Sequence, residues 1–316
     1  MFIQTCITVF SAIFQLFFIC LAAGILVRRK VVTTHQVQAL SSVTVNVFLP
    51  CLVMAKTLTQ FHPDSFSSWW ILPPAGILIT VIGLFFSSFL FKMRRKKRPL
   101  MTLASMQNAI YIVLPIGQVL FVDEFDQFAL YCFLLILGTI PLMWSLGKVM
   151  ISGEKESRIQ FKDFITPPFL AMLAAIILIF TNLSSFVPGS VIAAMDLLGQ
   201  ATVPVAVFIL GATIGSLSFK NFPSIKDIII VTVVKYGLVP VTVSAILYYG
   251  NFYVSMPLLC SMLVIQSAAP PATNLILIVK HYGGDTESIS SMMVIQYLIC
   301  LVAMPLWIAA WQMVTG

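Results

Sequence analysis

The chain has 316 residues, of which 59% are hydrophobic and 9% charged, with a mean hydropathy of +1.02. Soluble domains carry about 25% charged residues, and disordered chains are polar and charge-rich, so neither class fits. The net charge of +7 does not mark a nucleic-acid-binding face, because the basic residues sit in short clusters between long apolar runs; the composition is that of an all-α polytopic membrane protein.

A membrane-crossing helix needs roughly 20 mainly apolar residues. The apolar runs predict ten transmembrane helices. The first, near 3–27, has no basic residues ahead of it and is followed by Arg28-Arg29-Lys30, the pattern of an uncleaved span and not of a signal peptide. The others lie near 36–60, 67–91, 99–122, 127–148, 164–181, 190–217, 226–249, 253–280 and 287–312, with the long run at 236–279 divided at Tyr249-Gly250-Asn251. Five alternate loops, at 28–30, 92–98, 148–162, Lys220 with Lys226, and Lys280, hold 16 of the 18 Lys and Arg residues. The intervening loops hold none, and one carries Asp123, Glu124 and Asp126. Basic loops stay inside, so both termini are expected outside an inner or plasma membrane. Trp69, Trp70, Tyr248, Tyr249, Tyr253 and Trp311 then fall at the outer ends, as interfacial aromatics do.

Landmarks recur in order along the chain. Pro50 in span 2 answers to Pro204 in span 7, Gln107 in span 4 to Gln266 in span 9, and Pro141 in span 5 to Pro305 in span 10. Residues 1–150 and 164–316 are read as two five-helix repeats joined by a cytoplasmic linker at 151–163. Five is odd, so the repeats insert in opposite senses, the architecture of secondary transporters.

Spans 4 and 9 are the least helix-like. Span 9 carries Gln266-Ser267-Ala268-Ala269-Pro270-Pro271-Ala272-Thr273-Asn274 at mid-depth, and a double proline removes two backbone donors. Span 4 carries Gln107 and Asn108, then Pro115 seven residues after the asparagine. Backbone freed at bilayer depth is tolerated only against protein or a watery cavity. Broken helices at matching places in two halves point to a substrate site, and half-helix N-termini there suit an anion. Pro115, Pro270 and Pro271 are expected to hold the breaks open, with Gln107, Asn108, Gln266, Thr273 and Asn274 lining the site. Lys235 lies nine residues into span 8, about 13 Å along it at 1.5 Å per residue. A lysine at that depth costs at least ~2.5 kcal/mol unless it meets water or a partner, so it is read as facing the site. Lys56 in span 2 and Asp196 in span 7 lie at similar outer depth and are expected to form a structural ion pair.

The remaining signals are structural. The six cysteines all lie in apolar segments without CxxC spacing, so neither disulfides nor a metal site is expected. Gly211 and Gly215 fit the small-xxx-small motif, for packing within the monomer or in a homodimer. Ser145-Leu146-Gly147-Lys148 matches SxxK without a partner motif, and no phosphate loop is present. Neither an enzyme nor a cofactor is expected.

These motifs resemble the auxin efflux carrier family, which includes plant PIN-FORMED carriers and bacterial malate and malonate permeases. The resemblance rests on Asn46-Val47-Phe48-Leu49-Pro50, on Lys235 followed by Pro240, on Pro270-Pro271-Ala272-Thr273-Asn274 with His281-Tyr282-Gly283-Gly284-Asp285, and on Met304-Pro305-Leu306-Trp307. It covers the whole chain. The family's span 4 carries glycines where Ile110 and Val113 stand here, and the long loop of the larger plant members is missing, so the chain resembles the bacterial type. The resemblance implies spans 4 and 9 crossing at the midplane. It also implies a scaffold of spans 1, 2, 6 and 7, a transport part of spans 3–5 and 8–10, an elevator movement, often in a dimer, and small organic anions as cargo. The expectation is a secondary carrier for a small organic anion, a carboxylate, with efflux favoured. The rival readings are a sodium-coupled carrier of the bile-acid type, a channel and a ligand sensor.

Overall fold

The computed structural model describes residues 2–64, 66–152, 165–216, 222–273, 275, 279 and 286–315. Most of the expected linker at 151–163, together with Asn274, Lys280 and the 281–285 motif, lies outside them. The described residues are helical, apart from connections and one isolated bridge between Gln107 and Pro271.

In chain order the helices are α1 (Phe2–Arg28), α2 (Thr34–Gln60), α3 (Trp69–Leu90), α4 (Arg98–Ser105), α5 (Val113–Leu120), α6 (Phe125–Ile151), α7 (Pro167–Phe180), α8 (Gly189–Ser216), α9 (Ile225–Tyr249), α10 (Pro257–Ser267) and α11 (Thr286–Thr315). Among the described residues six helices are long and apolar enough to cross a membrane: α2, α3, α6, α8, α9 and the Ser288–Thr315 part of α11. The protein is therefore an integral, polytopic membrane protein.

Local chemistry sets the ends. Thr33 caps α2 reciprocally: its hydroxyl accepts from the Gln36 N–H at 3.2 Å, and its own N–H donates to Gln36 Oε1 at 2.9 Å. Prolines open α4, α7 and α10, where a missing N–H costs nothing. Inside the long helices three prolines sit beside a wide π-helical turn. These turns are Thr44–Phe48 before Pro50, Met143–Gly147 after Pro141, and Val234–Leu238 before Pro240. Pro240 has no N–H for the Tyr236 carbonyl one turn back, so that carbonyl accepts from Trp307 Nε1 at 2.7 Å.

Two groups of helices emerge from the packing. In the first, α1 packs on α8, and α2 packs on α7 and α8. In the second, α6 is the centre, with Phe128 through Ile136 all buried and α3, α4, α5 and α10 packed on it; α9 joins through α3, α4 and α10, and α11 through α9 and α10, while α11 also packs along α1 of the first group. The close approaches fall within the groups, at glycines. Gly24 of α1 faces Gly211 and Gly215 of α8, and Gly199 of α8 meets the Leu52 backbone of α2. Gly138 of α6 meets the Pro73 backbone of α3. No glycine among the described residues closes a contact between the groups.

A Cβ on Gly211 would collide with the Cys20 backbone. Gly211→Ala is therefore expected to push α1 off α8 and destabilise the protein by roughly 1–3 kcal/mol, read as a lower melting temperature in detergent.

Candidate functional site

Two stretches of backbone leave the helical path and meet. The first runs from Met106 to Ile112 between α4 and α5, and the second from Ala268 to Ala272 after α10. They pair antiparallel: Asn108 N–H donates to the Pro270 carbonyl at 2.7 Å, and Ala272 N–H donates to the Met106 carbonyl at 3.1 Å. Gln107 and Pro271 face each other between these bonds. A proline fits there because that position demands no donor.

Side chains lock the crossing. Asn108 is 2% exposed, and its Oδ1 accepts from the N–H groups of Tyr111 at 2.8 Å and Ile110 at 3.3 Å, capping the approach to α5. Its Nδ2 donates to the hydroxyl of Tyr297 on α11 at 2.8 Å, and that hydroxyl donates to the Pro271 carbonyl at 2.9 Å. Tyr297 thus ties both stretches together. Sequence reasoning missed it; the signal was a polar pair, Gln296-Tyr297, inside an apolar run.

Lys235 is fully buried in the π-helical turn of α9. Its Nζ lies 3.5 Å from the Met106 carbonyl, at the carboxyl end of α4. It lines neither cavity at the crossing. The expectation that it faces the site directly is corrected: it stands one residue behind it, against the negative end of a half-helix. Pro115 is also not at a break. It is the third residue of α5, inside the first turn, where a proline is accommodated. Pro270 and Pro271 do lie in an unwound stretch.

A cavity of about 90 Å³ opens beside the crossing, walled by Gln107, Asn108, Gln266 and Thr273 and by Thr80 and Thr139 of α3 and α6. Gln107 Nε2 and Gln266 Oε1 are buried there without a hydrogen-bond partner among the described residues. One unsatisfied amide therefore comes from the first stretch and one from the last turn of α10. A buried amide without a partner costs about 1–3 kcal/mol, which a polar guest would relieve. No Lys, Arg, Asp or Glu lines this cavity.

Tyr111 separates it from a larger cavity of about 280 Å³, to which it is also a wall. That space lies between α1 and α8 on one side and α5 and α11 on the other. Its lining is apolar, including Phe17, Cys20 and Ile116, apart from the tyrosine hydroxyls and Arg28 at one end. Arg28 Nε donates to the Gly215 carbonyl at 3.2 Å.

Lys56 and Asp196 meet at 2.8 Å away from the crossing, and Asp126 stands equally close to the same ammonium. Gln200 Nε2 donates to the second oxygen of Asp196 at 3.0 Å.

The family model described as "Membrane transport protein" matches residues 8–162 and 158–308. Among characterised proteins the chain is similar to Protein PIN-LIKES 3 of Arabidopsis thaliana, at 26% identity over 162 residues. That similarity covers 48% of this chain and 42% of the length of the relative.

Proposed function

The chain belongs to the membrane transport protein family, and from that premise we propose that it is a secondary carrier moving a small organic anion, a carboxylate, without a catalytic step. The observation that carries the reading is the crossing itself: two unwound stretches paired at Gln107 and Pro271, with the unsatisfied amides of Gln107 and of Gln266, at the end of α10, lining one cavity. The positive end of α5 faces the crossing and Lys235 covers the negative end of α4, which together leave the surroundings favourable to an anion. Gln107, Gln266 and Thr273 are assigned to the cargo's carboxyl group, and Asn274 is assigned with them from its place in the sequence alone. Asn108 holds the crossing in shape. The apolar cavity beyond Tyr111 suits the cargo's hydrocarbon body.

In this reading there are ten spans in two inverted repeats, and α4 with α5, and α10 with the residues after it, each make one broken span. Both termini lie outside. The group of α1, α2, α7 and α8 is the scaffold, and the second group is the transport part that slides along it. The glycine-tight packing inside each group, and its lack between them, supports two rigid bodies. An interior-negative potential favours anion exit by ~2.3 kcal/mol per charge per 100 mV, so efflux needs no coupling ion.

The test is counterflow of a panel of carboxylates in proteoliposomes. Gln107→Leu combined with Gln266→Leu is expected to raise the half-saturating concentration at least ~tenfold, since hydrogen bonds to a charged group are worth about 1.5–3 kcal/mol each. The fold should persist, because the leucines remove two unsatisfied groups. Unaltered half-saturation would remove the crossing from cargo binding, strict sodium dependence would favour a bile-acid-type symporter, and non-saturating flux would favour a channel.

A further inference from the structure

Lys56 carries one positive charge and holds two carboxylates, each at 2.8 Å. Asp196 lies on α8, which packs with α2 in the first helix group. Asp126 is the second residue of α6, the centre of the second group. One partner is therefore internal to the body that carries Lys56, and the other belongs to the facing body. A single carboxylate neutralises a lysine, so the charge of Lys56 stays compensated when Asp126 departs. The side chains of Lys56, Asp196 and Asp126 are 11%, 29% and 45% exposed. The Asp126 contact is the wettest, and an exposed ion pair breaks at low cost.

Position completes the picture. The chain runs along α1 to Arg28 and back along α2, so Lys56, near the carboxyl end of α2, lies at the opposite end of the molecule from Arg28. The apolar cavity between the groups reaches the exposed Arg28. The interface carries its ion pair at one end and its cavity toward the other, with α1 packed along α11 between the groups. By contrast Lys97 and Asp227, 2.6 Å apart, lie on either side of the contact between α4 and α9, both in the second group.

We propose that Lys56 is a two-partner latch: it keeps Asp196 throughout the transport cycle, and its bond to Asp126 closes in the state described here and opens when the second group slides along the first. This rests on the two-body carrier reading above. It assigns to Asp126 a gating role at the end of the interface away from Arg28, separate from cargo binding.

The test compares the two carboxylates in one background, with the six native cysteines replaced. One protein carries Lys56→Cys with Asp126→Cys, the other Lys56→Cys with Asp196→Cys, and each pair is bridged by a short, reducible bifunctional thiol reagent. Bridging 56 to 126 is expected to stop carboxylate counterflow, with recovery on reduction. Bridging 56 to 196 is expected to leave counterflow at its unbridged rate. Equal flux before and after bridging 56 to 126, or arrest by both bridges, overturns the latch. Should a cysteine pair fail to fold, Asp126→Asn in the otherwise unchanged protein decides. It keeps the Lys56–Asp196 pair and is expected to speed counterflow about two- to fivefold, the population change that loss of one exposed ion pair allows; a wild-type rate overturns the proposal. Absence of carboxylate counterflow in the wild-type protein would instead count against the carrier reading.

Discussion

Lys235→Met is expected to raise the melting temperature while cutting carboxylate flux at least ~tenfold. The first effect follows from burial. Lys235 is fully buried, and its contact with the Met106 carbonyl, at 3.5 Å, is at the limit of a hydrogen bond. A charged side chain at mid-helix costs at least ~2.5 kcal/mol in a membrane, and methionine of similar length removes that cost. The Met106 carbonyl is not orphaned by the change, because it also accepts from Ala272 N–H at 3.1 Å. The second effect is electrostatic. Without the ammonium, the carboxyl end of α4 turns its partial negative charge on the proposed anion, and in a medium of low dielectric the loss is about 1.4 kcal/mol or more, a factor of ten. Melting curves in detergent and counterflow at saturating and sub-saturating carboxylate would separate the two effects. A variant that is stabilised and transports normally would make Lys235 a structural remnant; one that is destabilised would mean the ammonium is better partnered than its distance to Met106 implies.

The distance between sequence and structure is instructive at particular residues. The apolar runs mark the helical bodies well, because lipid leaves the backbone few alternatives to helix. Lys56 and Asp196, charges stranded in apolar runs, lie together at 2.8 Å, since burying a charge unpaired costs more than pairing it. Asp126 was read as loop because it follows Asp123 and Glu124 closely. Only the start of α6 at Phe125 puts its carboxylate in the first turn, facing α2. The break in the first half is harder still to see. Met106 to Ile112 contains neither proline nor glycine, and Pro115 lies beyond it, inside α5. The stretch unwinds because Asn108 and Met106 trade backbone hydrogen bonds with Pro270 and Ala272 across the crossing. That partner lies more than 160 residues away, and no local propensity encodes it. Lys235 was placed in the site on depth alone; which way a side chain faces around a π-helical turn is decided by the extra residue, which periodicity does not register.

The pairing that unwinds the first stretch also identifies its weakest point. Tyr297 offers one hydroxyl, and that oxygen both accepts from Asn108 Nδ2 and donates to the Pro271 carbonyl. Tyr297→Phe keeps the ring and deletes both bonds. The Pro271 carbonyl and the Asn108 amide then lie buried without that partner, and each unsatisfied group costs about 1–3 kcal/mol. The expected result is a protein destabilised by ~2–5 kcal/mol. Function should fall with stability for a separate reason. Asn108 Oδ1 caps Tyr111 and Ile110 only while its amide is held from the other side; released, it swings, and the positive end of α5 loses its aim at the cargo. Asn108→Asp distinguishes the two causes. The carboxylate can still cap Tyr111 and can accept the single Tyr297 hydroxyl proton, at the expense of that proton's bond to the Pro271 carbonyl, so one bond is lost where Tyr297→Phe loses two, but a negative charge now stands where the proposed anion would bind. A protein that melts above Tyr297→Phe yet loses anion counterflow would place the damage in the electrostatics of the site. Retained counterflow in Asn108→Asp, with Tyr297→Phe inactive, would mean that the crossing serves as architecture alone and that the cargo binds elsewhere, the apolar cavity beyond Tyr111 being the next place to look.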